Sequence, residues 1–139
     1  MILLTGGSGV LGKELQKLLG DEVFAPSRKW FDFTDSWTLP ELYTLTVKPD
    51  LIVHAGAYTD VLKAETEKDL CYQTNVIGTR NLASLGIPML YISTEYVFDG
   101  EKGNYSEEDY PNPQNFYALT KLLGEYEARN NPNSVVIRC

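Results

Sequence analysis

Apolar runs alternate with stretches of helical spacing along the whole chain. The apolar runs lie at residues 2–5 (ILLT), 22–25 (EVFA), 50–56 (DLIVHAG), 88–94 (PMLYIST) and 134–139 (SVVIRC). The helix-like stretches lie at residues 10–19, 38–45, 70–85 and 116–129. Continuous apolar strands joined by helical crossovers indicate a parallel sheet with helices on both faces. We therefore expect one doubly wound, Rossmann-type α/β domain with about five strands over residues 1–139.

A glycine-rich turn joins the first strand to the first helix. Gly6, Gly9 and Gly12 stand three residues apart in the segment TGGSGVLG. Glycine permits a tight turn and a close backbone approach to a pyrophosphate, which the free N–H groups of the helix start can bind. We predict a phosphate site formed by these glycines with Ser8 and Val10. The alternative is a turn that only packs the helix on the strand.

The end of the second predicted strand bears on the choice of cofactor. Enzymes that use NAD carry an acid about 20 residues beyond the glycines, which binds the ribose 2′-hydroxyl. This chain has Arg28 and Lys29 there instead. Because a guanidinium and an ammonium attract a 2′-phosphate, the sequence favours NADP(H) over NAD(H). The alternative is that both cations are simply solvated.

Composition narrows the possible partners. The chain has 139 residues, 43% hydrophobic, with a net charge of −7 and no basic stripe, so we do not expect it to bind nucleic acid. No apolar stretch is long enough to cross a membrane, and the N-terminus shows no basic leader, so we expect a cytoplasmic protein.

The one histidine, His54, ends a buried strand without partners for a metal site, which favours a structural role.

A tyrosine and a lysine lie four residues apart on the last predicted helix. This spacing puts Tyr117 and Lys121 on one face. The preceding strand delivers Ser93 and Thr94 to its carboxyl end, where doubly wound sheets bind ligands. We therefore expect hydroxyl, phenol and ammonium groups to converge at that edge.

Several strings resemble one known family. These are STEYVFDG at 93–100, FYALTKLLGE at 116–125, VKPDLIVHAGAYTDVLKAE at 47–65 and QTNVIGTRNLA at 73–83. The first three are similar to the strings STDYVFDG, VYGKTKLAGE and RPDVIVNAAAHTAVDKAE of the extended short-chain dehydrogenase/reductases. The fourth is similar to the helix that follows the last of these strings in that family. Within that family the chain resembles the dTDP-4-dehydrorhamnose reductases.

The resemblance implies NADP(H)-dependent reduction of a 4-keto nucleotide sugar. Thr94, Tyr117 and Lys121 would form the catalytic triad, with Lys121 lowering the pKa of Tyr117 and Thr94 hydrogen-bonding the substrate oxygen. The resemblance also places further residues along the cofactor: Asp32 and Phe33 by the adenine, then Ala55, Gly56, Ala57, Tyr58, Tyr117 and Lys121.

The chain departs from the family at particular positions and in length. Leu62 stands where the family string has aspartate, Gly56 replaces an alanine, and Ala118 replaces a glycine. The family continues beyond the fifth strand with a substrate-binding lobe, so we expect this chain alone to bind cofactor but to turn over sugar poorly. A second copy or a partner chain could cover the sheet edge.

The sequence leaves two alternatives to a reductase. One is an epimerase or dehydratase of the same family, and the other is a non-catalytic, cofactor-binding regulatory subunit.

Overall fold

The centre of the molecule is a five-stranded parallel sheet. The computed structural model describes residues 1–44 and 48–139. The strands are β1 (Ile2–Thr5), β2 (Val23–Phe24), β3 (Leu51–His54), β4 (Met89–Ser93) and β5 (Ser134–Arg138). They are arranged in the order β2-β1-β3-β4-β5, and every neighbouring pair is parallel. The predicted doubly wound fold is therefore confirmed.

The strand order reverses direction at β1. The chain moves from β1 outward to β2, then crosses back to β3 on the other side of β1. Open α/β sheets bind ligands beyond the carboxyl ends of the strands at such a reversal. A ligand site is therefore expected at the loops that follow β1 and β3.

The helices pack around this sheet close to where their spacing predicts them. They are α1 (Val10–Leu19), α2 (Lys68–Tyr72), α3 (Gly78–Ala83) and α4 (Phe116–Arg129). A π-helical turn, Gln73–Ile77, joins α2 to α3, so the stretch predicted at 70–85 is one helix with a local bulge. Such bulges are common at functional sites. The segment predicted to be irregular, Glu95 to Asn115, contains only a short 3₁₀ turn at Glu95–Val97.

The helix-like stretch predicted at 38–45 forms a different structure. The chain follows a 3₁₀ helix over Ser36–Thr44, which contains Pro40. Proline lacks a backbone N–H and crowds the preceding turn, so a regular α-helix is disfavoured there. The last residue of the predicted stretch, Leu45, lies outside the described residues.

The central strands bury side chains on both faces of the sheet. Leu3, Ile52, Met89 and Tyr91 lie on one face, and Leu4 and Val53 are buried on the other. A buried carboxylate, Glu125 on α4, joins the helix to the sheet through hydrogen bonds with Ser93 and Arg138. Burial acts to raise the pKa of Glu125, but these hydrogen bonds outweigh it and the pKa is lowered. Over residues 1–44 and 48–139 no helix has the length and apolar character needed to cross a membrane.

Candidate functional site

A cavity of about 560 Å³ opens at the carboxyl ends of β1 and β3. Its position coincides with the reversal of strand order, as the fold predicts. Three loops line it: those after β1, β2 and β3. The lining residues are Thr5, Gly6, Gly7, Ser8, Gly9, Gln16, Ala25, Pro26, Ser27, Arg28, Phe31, Phe33, Ala55, Gly56, Ala57, Thr59 and Thr74.

The glycine-rich turn has a backbone that only glycine fits. Gly6 has a φ of +75°, and a Cβ there would lie 2.6 Å from the Gly56 nitrogen. Gly12, one turn into α1, packs directly on the Gly6 carbonyl, so a side chain at Gly12 would displace the turn. These two contacts bring the start of α1 against the end of β1.

The start of α1 lies at the cavity, where Ser8 and Gly9 belong to the lining. Gly9 is the N-cap residue, no side chain caps the helix, and no acidic residue stands in the first turn. The partial positive charge of the helix start is therefore open to an anion. Gln16 supports the turn from the helix side, because its amide nitrogen donates to the carbonyls of Gly7 at 2.7 Å and Gly12 at 3.0 Å.

A buried histidine supports the floor of the cavity. His54 Nδ1 lies 2.7 Å from the Thr5 hydroxyl, and its Nε2 lies 3.0 Å from that of Thr79. The Thr79 hydroxyl donates its proton to the Asn75 carbonyl, so it must accept from Nε2–H. Burial lowers the pKa of His54 to about 3, with Lys121 adding to the effect. His54 is therefore a neutral structural residue, as the sequence indicates.

An aromatic ring closes the floor between two glycines. A Cβ on Gly56 would lie 2.8 Å from the Phe33 ring, and one on Gly78 would lie 2.5 Å from it. The ring also meets His54 edge-on, at 5.0 Å between centroids. The glycine at position 56, where the resembled family string has alanine, thus leaves room for Phe33.

A charged pair stands at the rim of the cavity. Arg28 donates from Nε to the Asp32 carboxylate at 2.8 Å, and the backbone and hydroxyl of Thr34 donate to the same carboxylate. Burial acts against the charge of Asp32, but the hydrogen bonds from Arg28 and Thr34 lower its pKa overall. Because Arg28 pairs with Asp32 through Nε, the two terminal nitrogens of its guanidinium can donate to a second anion.

Thr94, Tyr117 and Lys121 come together beside β4, outside the residues that line the cavity. Thr94 follows the last residue of β4, and α4 packs on that strand. Burial raises the pKa of the Tyr117 phenol, and the Thr94 hydroxyl acts to lower it. Lys121 is almost fully buried, donates to the Ile92 carbonyl at 2.6 Å, and lies 4.3 Å from the centre of the Tyr91 ring.

The ionisation of this group differs from what the sequence predicts. The pKa of Tyr117 is raised, chiefly by burial, whereas the sequence leads us to expect a lowered phenol pKa. The physical reason is that the Lys121 ammonium is turned toward the Ile92 carbonyl, and burial lowers its own pKa to about 8.

Most of the predicted cofactor residues line the cavity, and some lie beside it. Those in the lining are Gly6, Ser8, Gly9, Arg28, Phe33, Ala55, Gly56 and Ala57. Val10 is largely exposed at the start of α1, and Gly12 lies behind the turn. The Tyr58 hydroxyl donates to Glu67 at 2.5 Å, which raises the pKa of Tyr58 to about 12.

Sequence reasoning missed other lining residues. Thr5 is one of them: its hydroxyl accepts from the Gly56 N–H at 3.1 Å and bonds to His54. A polar residue at the end of an apolar strand is the signal that could have identified it. Gln16 is another, and its position four residues after Gly12 is the corresponding signal. Within the described part of the chain, no cluster of three or more metal-ligating side chains occurs.

The fold and the cavity together define a Rossmann-type dinucleotide-binding architecture. The family model described as the RmlD substrate binding domain matches residues 1–139. The chain belongs to that family.

Individual relatives agree with this assignment. The chain is 37% identical, over 99% of its length, to the dTDP-4-dehydrorhamnose reductase of Aggregatibacter actinomycetemcomitans, and it covers 50% of that protein. It is 34% identical, again over 99% of its length, to the methionine adenosyltransferase 2 subunit beta of Bos taurus, and it covers 45% of it.

A solved structure of a relative has the same fold as this chain. The dTDP-4-dehydrorhamnose reductase of Bacillus anthracis, determined in complex with NADP, superposes on this chain with a TM-score of 0.91 at 35% identity. The match covers 99% of this chain and 52% of the other. The chain thus spans about half the length of the relatives it matches.

Proposed function

We propose that this chain supplies the dinucleotide site and the acid–base residues for NADP(H)-dependent reduction of a 4-keto nucleotide sugar. The observation that carries the proposal is the open start of α1 against the glycine turn, at the reversal of strand order. The relative from Bacillus anthracis that was solved with NADP has the same fold over nearly all of this chain. The chain's glycines and α1 N–H groups would bind the pyrophosphate.

The rim of the cavity supports a 2′-phosphorylated cofactor. Arg28 lines the cavity and is held by Asp32 through Nε only. The guanidinium can therefore add a charge-assisted hydrogen bond to a phosphate without leaving Asp32. Phe33, Ala55, Gly56, Ala57 and the neighbouring Tyr58 would lie along the dinucleotide in this proposal.

Thr94, Tyr117 and Lys121 would carry out the acid–base chemistry of the reduction. A bound reduced nicotinamide supplies the hydride. Tyr117, kept as a phenol by burial, would donate its proton to the oxygen of the reduced carbonyl. Lys121 would carry its charge at the same edge of the sheet, beside Tyr91. The nucleotide sugar itself would be positioned partly by groups in the remaining length that the relatives have.

A single-turnover assay tests the proposal. An excess of the chain is mixed with NADPH and a 4-keto nucleotide sugar, and the loss of nicotinamide absorbance is followed for wild type, Tyr117→Phe and Tyr110→Phe. Tyr110 is 94% exposed, so its variant is the matched control. We expect sugar-dependent oxidation in wild type and Tyr110→Phe and none in Tyr117→Phe. Equal rates in all three would refute the assigned acid.

A second candidate function is a regulatory subunit that binds a dinucleotide without turning over a substrate. The similarity to methionine adenosyltransferase 2 subunit beta favours it, because that relative is named as a subunit and matches as much of this chain as the reductase does. Rossmann-type folds can be retained for binding alone. NADPH binding with no sugar-dependent oxidation in wild type would support this candidate over the reductase.

A further inference from the structure

Three consecutive residues of β4 contact α4. The Tyr91 hydroxyl donates to the Lys121 carbonyl at 3.4 Å, and the Ile92 carbonyl accepts from the Lys121 ammonium at 2.6 Å. The Ser93 hydroxyl donates to Glu125 Oε1 at 2.6 Å. Lys121 and Glu125 are one helical turn apart and therefore lie on one side of α4. Hydrogen bonds thus fix how far the helix lies along the strand.

Glu125 also joins α4 to β5. It is fully buried, and its carboxylate accepts from Arg138 twice, from Nε at 2.8 Å and from a terminal nitrogen at 2.7 Å. A bidentate pair of this kind fixes the orientation of the carboxylate. The Arg138 guanidinium in turn lies 5.0 Å from the centre of the Phe98 ring, in the loop after β4. Glu125 therefore connects the ends of two strands to one helix.

These contacts lie beside the candidate acid–base residues. Thr94 directly follows β4, and Phe98 comes four residues later, so the turn that begins at Thr94 is supported at both ends. Tyr117 and Lys121 precede Glu125 on α4 by eight and four residues. We call Thr94, Tyr117 and Lys121 the acid–base edge. Their positions relative to one another depend on where α4 lies along β4.

We propose that Glu125 is a positioning residue of the acid–base edge: by accepting from Ser93 and Arg138, it holds α4 at the position along β4 that proton transfer requires. The catalytic part of this inference rests on the proposed function. The Glu125 carboxylate is buried and does not line the cavity, so it would act only through the groups that it holds. A displacement of about 1 Å at reacting groups can lower a rate about 100-fold.

Single-turnover kinetics separate positioning from a contribution to folding alone. The rate of sugar-dependent NADPH oxidation and the affinity for NADPH are measured in wild type, Glu125→Gln, Ser93→Ala and Ser93→Thr. We expect the rate to fall about tenfold in Glu125→Gln and several-fold in Ser93→Ala, with NADPH affinity unchanged in both. Ser93→Thr keeps the hydroxyl and should retain most of the rate. Ser93→Ala leaves Glu125 paired with Arg138, so it decides the matter if Glu125→Gln does not fold.

Arg129→Gln is the matched control. Arg129 lies 3.4 Å from the same carboxylate, but it is half exposed and belongs to α4 itself, so it does not join the helix to a strand. Its variant should keep the wild-type rate. If Ser93→Ala reacts as fast as Arg129→Gln in a chain that reduces the sugar, the inference is overturned.

A titration of Lys121 in the ligand-free chain makes the test independent of the proposed reaction. Burial lowers the pKa of Lys121 to about 8, while Glu125, Cys139 and Cys71 act to raise it. Ser93→Ala keeps all these charges, so a changed pKa reports a changed burial of the ammonium.

The pKa is measured by NMR with ¹³Cε-labelled lysine, and the signal is assigned from its loss in Lys121→Arg. We expect the pKa to rise in Ser93→Ala toward the usual lysine value of 10.5 and to stay near the wild-type value in Ser93→Thr. An unchanged pKa in Ser93→Ala would overturn the inference. A wild-type chain that oxidises no NADPH, but shows the expected rise, would contradict the proposed function and leave the positioning of α4 supported.

Discussion

At the scale of single residues, the proposed preference for NADP(H) rests on the pair formed by Arg28 and Asp32. Asp32 is fixed by Thr34 and in turn orients the guanidinium at the cavity rim. Lys29, the next residue along the chain, is exposed and does not line the cavity. The two cations that the sequence treats alike are therefore not equivalent in the structure.

Replacing Arg28 should change the cofactor preference. We expect Arg28→Gln to lower the ratio of NADPH to NADH affinity about tenfold, since a charge-assisted hydrogen bond to phosphate contributes about 1.5–3 kcal/mol. Titration of both reduced dinucleotides by nicotinamide fluorescence measures the ratio. Lys29→Gln is the matched control and should leave it nearly unchanged. An unaltered ratio in Arg28→Gln would contradict the assignment of the 2′-phosphate site.

The sequence predicts residue types at the site better than it predicts their orientation. The glycine spacing indicates the turn at Gly6 because backbone requirements are local. The direction of Lys121 could not be predicted, because it depends on the Ile92 carbonyl and the Tyr91 ring, which belong to a strand 29 and 30 residues earlier in the chain. Hydrogen-bonding partners that are distant in sequence decide such details.

At the scale of elements, the first turn of α4 determines where Tyr117 stands. The Asn115 side chain accepts from the Ala118 N–H at 2.8 Å and caps the helix locally. Glu65, 51 residues earlier, accepts from the Phe116 N–H at 2.7 Å. One local and one distant acceptor thus hold the helix start against the loop after β3.

Loss of the local cap should destabilise the protein measurably. We expect Asn115→Ala to lower the free energy of unfolding by about 1 kcal/mol, because a helix N–H loses its acceptor. Asn115→Asp keeps an acceptor oxygen and should retain most of the stability. Urea denaturation followed by circular dichroism gives both values. Identical stability of Asn115→Ala and wild type would show that the cap makes no net contribution.

Element boundaries followed the sequence where the pattern was strong. The spacing predicted the extents of α1 and α4, both of which have a regular apolar face. It did not predict the 3₁₀ form of Ser36–Thr44 or the π turn at Gln73–Ile77. The 3₁₀ helix contains Pro40, and the π turn packs against α4; neither circumstance is a property of apolar periodicity.

At the scale of the whole molecule, the neutral His54 joins β1, β3 and α3 below the cavity. Its ring accepts from Thr5 at one nitrogen and donates to Thr79 at the other. A protonated ring would have two donors, and one would face the hydroxyl that now donates to it. The fold therefore depends on the uncharged form of this side chain.

Stability should consequently fall as the pH drops below about 6.5. The pKa of His54 is lowered from 6.5 to about 3, so between these values the unfolded chain binds a proton that the folded chain does not. The free energy of unfolding should decrease by about 1.4 kcal/mol per pH unit in this window. Urea denaturation between pH 6.5 and 5 measures the slope above the range in which carboxylates titrate. His54 is the only histidine, so its imidazole signals give an independent check. A folded protein whose imidazole titrates near 6.5 would contradict the prediction.

The most direct test of the account is whether the backbone at the glycine turn binds a dinucleotide. Gly9 lines the cavity with an ordinary φ of −73°, and a Cβ there would lie 3.3 Å from the Gly6 carbonyl oxygen. Gly9→Ala should therefore fold but obstruct the phosphate position. Leu18→Ala, on the exposed side of α1, serves as the control. We expect NADPH titration to show saturable binding for wild type and Leu18→Ala, and binding at least tenfold weaker for Gly9→Ala. A folded wild-type chain with no affinity for NADPH or NADH, or a Gly9→Ala variant that binds as tightly as wild type, would contradict the account.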